Sequence, residues 1–130
     1  MGADMLKYLA FLTKKQGMDT PAFIDYYENV HVPLIRRLAP TPVVYKRRYL
    51  MRDDELTSRA AGLDFDVVTE LIFENRQAYA QWRAQLYGPG AAGLVIADEE
   101  RFLDRLRTCA CVVEERVTSE IITSSGLGLP

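Results

Sequence analysis

The chain has 130 residues, with 16 Lys and Arg against 18 Asp and Glu, for a formal net charge of −2. That length suits one domain, and the near-neutral balance lacks the basic footprint of a nucleic-acid binder. A single His excludes a zinc site built on several histidines, and no apolar run approaches the roughly 20 residues of a membrane span.

Met5 to Thr13 (MLKYLAFLT) is a nearly continuous apolar run of strand length, closed by Lys14-Lys15-Gln16-Gly17. Asp19 or Thr20 then offers an N-cap, with Pro21 at the first helical position. Phe23, Tyr26, Tyr27, Val30 and Leu34 follow at three- and four-residue spacing, which predicts an amphipathic helix. Pro33 lacks an N–H and restricts Val32, so it should kink or end that helix near His31, with a short continuation through Leu38. Val43 to Met51 reads as a second strand. Arg52 to Gly62 reads as an exposed loop, and Asp66 to Phe73, rich in β-branched residues, as a third strand.

A second helix should run from Arg76 to Leu86, with Ala78, Trp82 and Leu86 on one stripe, until Gly88-Pro89-Gly90 stops it. Residues 88–97 (GPGAAGLVIA) fit either a flap over a cavity mouth or an ordinary connector, and they match no nucleotide-binding loop. Asp98 would cap a short helix carrying Phe102, Leu103 and Leu106. Thr108 to Val117 is the fourth strand. The expected organisation is one domain over residues 1–118 and a loose polar tail over 119–130. Cys109 and Cys111 are too close for a Cys-x-x-Cys motif, and reduced thiols fit a cytoplasmic protein without a recognisable secretory leader.

The order β-α-β-β-α-β predicts an α+β, ferredoxin-like antiparallel sheet. Both helices then cover one sheet face. Yet the first and third strands are apolar on both sides, so a second copy of the chain is expected on the open face.

The stretch Lys14-Lys15-Gln16-Gly17-Met18, with Pro21-Ala22-Phe23-Ile24-Asp25-Tyr26-Tyr27-Glu28-Asn29-Val30-His31-Val32-Pro33-Leu34, resembles the EthD family. So do Phe65 to Phe73 and Ala97 to Asp104, and the similarity spans roughly residues 5–116. The resemblance implies a dimeric α+β barrel, cofactor-free in most relatives. It further implies an aromatic or polyketide-like substrate that undergoes cyclisation, decarboxylation, dehydration, isomerisation or cofactor-less oxygenation.

His31 lies one helical turn beyond Tyr27, so both can face one cavity. Its imidazole suits general acid–base work near neutrality, and the alternative is a helix C-terminal cap. Glu70 and Asp66 lie four apart in a strand, hence on one face, and a raised carboxyl pKa in a dry cavity would let them move protons. Alternatively, Asp66 opens the strand in solvent and Glu70 pairs with Arg47 or Arg48. Tyr8, Tyr45 and Trp82 could wall a pocket for a flat ring, with Arg47 orienting a substrate carboxylate. Against this, the aromatics could be plain core and Arg47 a paired surface residue.

The resulting expectation is a small cytoplasmic homodimer that binds no membrane or nucleic acid and needs no metal or organic cofactor. His31, Glu70, Tyr27 and Asp66 would transfer protons in a decarboxylation, dehydration or cyclisation. The alternatives are a cofactor-less monooxygenase, a non-catalytic aromatic-ligand carrier and a haem binder using His31.

Overall fold

A computed structural model describes residues 5–119. Strand β1 (Leu6–Leu12) leads into helix α1 (Thr20–Tyr26), a π-helical turn (Tyr27–His31) and helix α2 (Val32–Leu38). Strands β2 (Val44–Tyr49) and β3 (Val67–Phe73) follow, then helices α3 (Arg76–Tyr87) and α4 (Ala92–Glu99) and strand β4 (Cys109–Val113). Short 3-10 turns occupy Ala60–Gly62 and Arg105–Arg107. The sheet is antiparallel throughout, in the order β2-β3-β1-β4. This is the ferredoxin-like α+β arrangement expected from the element order.

The register sorts the side chains. Tyr8 lies opposite Leu71, Ala10 opposite Thr69, and Tyr45 on the other flank of Leu71. These residues, with Leu6, Leu12, Val67 and Phe73, share the face under the helices. Leu9, Phe11, Val68, Glu70, Ile72, Lys46 and Arg48 share the opposite face. Strand β3 alternates accordingly, buried at Val67, Thr69, Leu71 and Phe73 and half-buried between them. The two-sided burial expected of β1 is not found in the single chain: its buried residues lie on the inner face alone. Leu6 and Leu12 are buried, whereas Lys7 to Phe11 are only half-covered.

Helix α1 starts where the sequence places it. The Asp19 carboxylate accepts from the Ala22 N–H at 2.8 Å, with Pro21 in the first turn. Of the two outcomes expected at Pro33, the helix is distorted and not ended, and the continuation runs to Leu38. The chain widens by one π turn just ahead of it, where the Val32 N–H bonds to the Tyr27 carbonyl. In a regular α-helix the Pro33 ring would press on the Asn29 carbonyl, and the wider turn relieves that crowding. His31 is therefore not a C-terminal cap.

Two further expectations are corrected downstream. Residues 92–99 are helix α4, not a flap. Asp98 caps nothing: it sits inside α4 with its side chain buried. Phe102 and Leu103 are buried beyond that helix, but Leu106 is 98% exposed. Backbone bonds from Lys15 N–H to the Phe102 carbonyl and from Asp104 N–H to the Thr13 carbonyl, both 2.9 Å, tie this segment to the end of β1. Phe102 thereby becomes the keystone of a core formed with Leu12, Phe23, Tyr27, Val32, Val67 and Leu103. Of the expected polar tail, only Ser119 falls within the described residues.

Candidate active site

A cavity of about 540 Å³ opens between the inner sheet face and the helices. Its wall includes Tyr8, Tyr27, His31, Tyr45 and Trp82, so five of the eight predicted site residues converge there. The π turn places Tyr27 and His31 on one side of their helix, with ring centroids 5.5 Å apart. Phe102 packs against both rings, at 5.3 Å and 4.8 Å.

His31 has a partner that sequence reading missed. Its Nδ1 lies 2.8 Å from Asp98 Oδ2, in a pair that is more than nine-tenths buried. The Tyr26 hydroxyl donates to the other carboxylate oxygen, Oδ1, at 2.6 Å. Burial lowers the His31 pKa below its usual value, outweighing the opposing pull of Asp98. The neutral imidazole therefore donates Nδ1–H to Asp98. Nε2 remains the lone-pair nitrogen, without a hydrogen-bond partner among the described residues.

Beside this pair stand three hydroxyl-bearing side chains. Tyr27 Oη lies 2.6 Å from Thr69 Oγ1 in a buried contact, and Tyr45 lines the same wall. Burial pushes the Tyr27 phenol up to about 12 and Tyr45 well above its usual value. Both phenols stay protonated at neutral pH and can donate to an oxygen that gains negative charge.

Glu99 and Arg105 add a charged edge to the cavity. The Tyr87 hydroxyl and Arg105 Nε, the latter at 2.9 Å, both donate to the Glu99 carboxylate. Tyr8 and Trp82 form an aromatic wall with Leu71 and Leu86. Trp82 Nε1 is buried without an acceptor among the described residues.

The remaining predicted residues lie elsewhere. Glu70 points to the opposite sheet face and pairs with Arg48 at 2.9 Å, the alternative contemplated for it. Asp66 accepts from the Lys14 N–H at 2.8 Å and from Arg52 at 3.1 Å, which fastens the start of β3 to the end of β1. Glu70 is separated from His31 by the sheet, because the face that meets the helices carries Thr69, and neither carboxylate lines the cavity. Arg47 shares the inner face with Tyr45, lying 4.9 Å from its ring centre, but its guanidinium is held by Glu28 at 2.6 and 2.9 Å. Among the described residues, no group of three or more His, Cys, Asp or Glu is placed to hold a metal ion. No helix among them is long and apolar enough to cross a membrane.

The fold recurs in solved structures. An EthD family protein from Bacillus halodurans superposes with a TM-score of 0.58 at 20% identity, covering 86% of this chain and 99% of that one. A NIPSNAP family protein of unknown function from Agrobacterium tumefaciens gives 0.59 at 14% identity, covering 92% and 95%. A dimeric ferredoxin-like protein of unknown function from Thermobifida fusca gives 0.55 at 9% identity, covering 84% and 89%. At these identities the likeness is one of fold. No curated protein sequence matches the chain. The EthD domain model matches residues 15–106, which contain the π turn, His31 and Asp98, and the chain belongs to the EthD family.

Proposed function

We propose that the protein is an enzyme that moves protons on an aromatic or polyketide-like substrate, in a decarboxylation, dehydration or cyclisation. The observation that carries this reading is the His31–Asp98 pair on the wall of an aromatic cavity. In the proposed step, neutral His31 accepts a proton at Nε2 from a carbon or hydroxyl of the substrate. Asp98 holds Nδ1–H and stabilises the imidazolium that forms. Electron density moves to a substrate oxygen, where the hydroxyl of Tyr45 or of the Tyr27–Thr69 pair donates to the growing charge. The imidazolium then returns its proton: to the carbon freed when carbon dioxide leaves, to the departing hydroxyl so that it leaves as water, or to the alkoxide formed on ring closure. Protein side chains supply every group in this scheme.

Asp66 and Glu70 have no part in it. Tyr8, Tyr45 and Trp82 are the proposed ring contacts, and Arg47 acts indirectly by supporting Tyr45. The sheet face bearing Leu9, Phe11, Val68 and Ile72 is the proposed contact with a second copy of the chain, testable by light scattering.

The test uses 2-tetralone, a flat carbon acid, in deuterated water. Wild type should speed deuterium entry next to the carbonyl, and His31→Ala should abolish that gain while leaving the circular dichroism spectrum unchanged. Equal exchange by the two proteins would remove His31 from the mechanism.

A further inference from the structure

The cavity has a charge asymmetry at the end formed by α3. Two arginines, Arg83 and Arg105, line it together with one carboxylate, Glu99. Arg105 and the Tyr87 hydroxyl already satisfy Glu99. Asp98 lies behind His31 and is held by it and Tyr26. Arg83 makes no ion pair among the described residues, so it is the cation at the cavity left without a counter-charge. Its guanidinium stands 4.7 Å from the centre of the Tyr87 ring, one helical turn further along α3. Stacking on an aromatic face restrains the planar fork while leaving its N–H groups available. The preceding residue, Trp82, supplies a second donor without an acceptor, the buried Nε1–H.

The buried indole N–H without an acceptor calls for an acceptor from the ligand, and the stacked Arg83 guanidinium on the same cavity wall offers further donors to it. The unpaired Arg83 charge suits an anionic acceptor at this end, and the fork geometry of arginine suits a carboxylate bound through two oxygens. The surfaces beyond them, Tyr8, Tyr45, Leu71 and Trp82, suit a flat apolar ring.

We propose that the ligand of this cavity is an aromatic carboxylic acid whose carboxylate is received by Arg83. The assignment rests on the cavity being the substrate site, as in the reading above, and it makes Arg83 the residue that sets specificity for an anion. His31 faces the same space, so a carboxylate anchored at the α3 end would present the ring and its substituents to the base.

Calorimetric titration with 2-naphthoate and its neutral isostere 2-naphthamide tests the assignment. Charge-assisted hydrogen bonds predict that wild type binds naphthoate about tenfold or more tightly than naphthamide. Arg83→Gln, a change at an exposed position, should erase that preference and leave naphthamide affinity within about twofold. Arg83→Lys should restore part of it, because the charge returns without the fork. Equal affinity of wild type for the two ligands would overturn the assignment, as would a preference that survives Arg83→Gln. Naphthamide binding without any naphthoate preference would overturn only the anion site and leave acid–base chemistry at His31 standing. Failure of both ligands to bind would overturn the anion site and the cavity reading together.

Discussion

His31 Nδ1 and Asp98 Oδ2 lie 67 positions apart in the sequence and 2.8 Å apart in the fold. One belongs to the π turn and the other to α4, so the packing of α4 beside the first helix creates the pair. An acidic partner on Nδ1 selects the tautomer that presents a lone pair at Nε2. Asp98→Asn removes that selection, because an amide can donate to Nδ1 and drive the proton to Nε2. Tetralone exchange should fall by about 10²–10³-fold in this variant, with melting changed little by comparison. Exchange within about threefold of wild type would show that Asp98 does not orient the base.

The contact between Tyr27 and Thr69 offers a stability test. Tyr27→Phe removes one hydroxyl and leaves the buried Thr69 hydroxyl short of a partner, which should cost about 1 kcal/mol. For a domain of this size that is about 4 °C in Tm. Adding Thr69→Val should recover part of the loss, since the stranded polar group goes too. Strictly additive losses would mean that the two hydroxyls do not depend on each other.

Glu28 reports on acid stability. Arg47, by hydrogen bonding and charge, holds the Glu28 carboxyl below its usual range against the opposing effect of burial, and the Tyr49 hydroxyl, at 2.6 Å, assists. A carboxylate whose folded pKa is depressed stabilises the fold fully above its unfolded value, about 4.3. That stabilisation fades as the pH falls through the lower folded value. Glu28→Gln should therefore lower Tm at pH 7, and the deficit relative to wild type should shrink steadily below about pH 4. A deficit independent of pH would show that the Glu28 charge contributes nothing.

The same residues explain what could be read in advance. Asp19, Pro21 and the spacing of Phe23 and Tyr27 announce α1 because caps and periodicity are local signals. The alternation in β3 likewise announces a strand. Alternation does not say which face meets the helices, however, and that face decides between Thr69 and Glu70. Pro33 signals a disturbance, but whether the helix ends or widens depends on what packs around it. Residues 92–97 are short, apolar and glycine-flanked, so α4 was not legible, and Asp98 at its far end resembled a cap. Its partners, Tyr26 and His31, are 72 and 67 positions away, beyond the reach of any local pattern.

The chain contains one histidine, so a nitrogen-15 NMR titration of histidine-labelled protein reads His31 without overlap. The account expects a neutral ring at pH 7 with its proton on Nδ1 and a lone pair on Nε2. Because burial lowers the folded pKa below the unfolded value of about 6.5, the titration midpoint should lie below that pH. Fold stability and tetralone exchange should both decline as the pH drops from there through the folded pKa. A ring whose titration midpoint lies above pH 6.5, or that carries its proton on Nε2 at pH 7, would contradict the claim that His31 is a poised base.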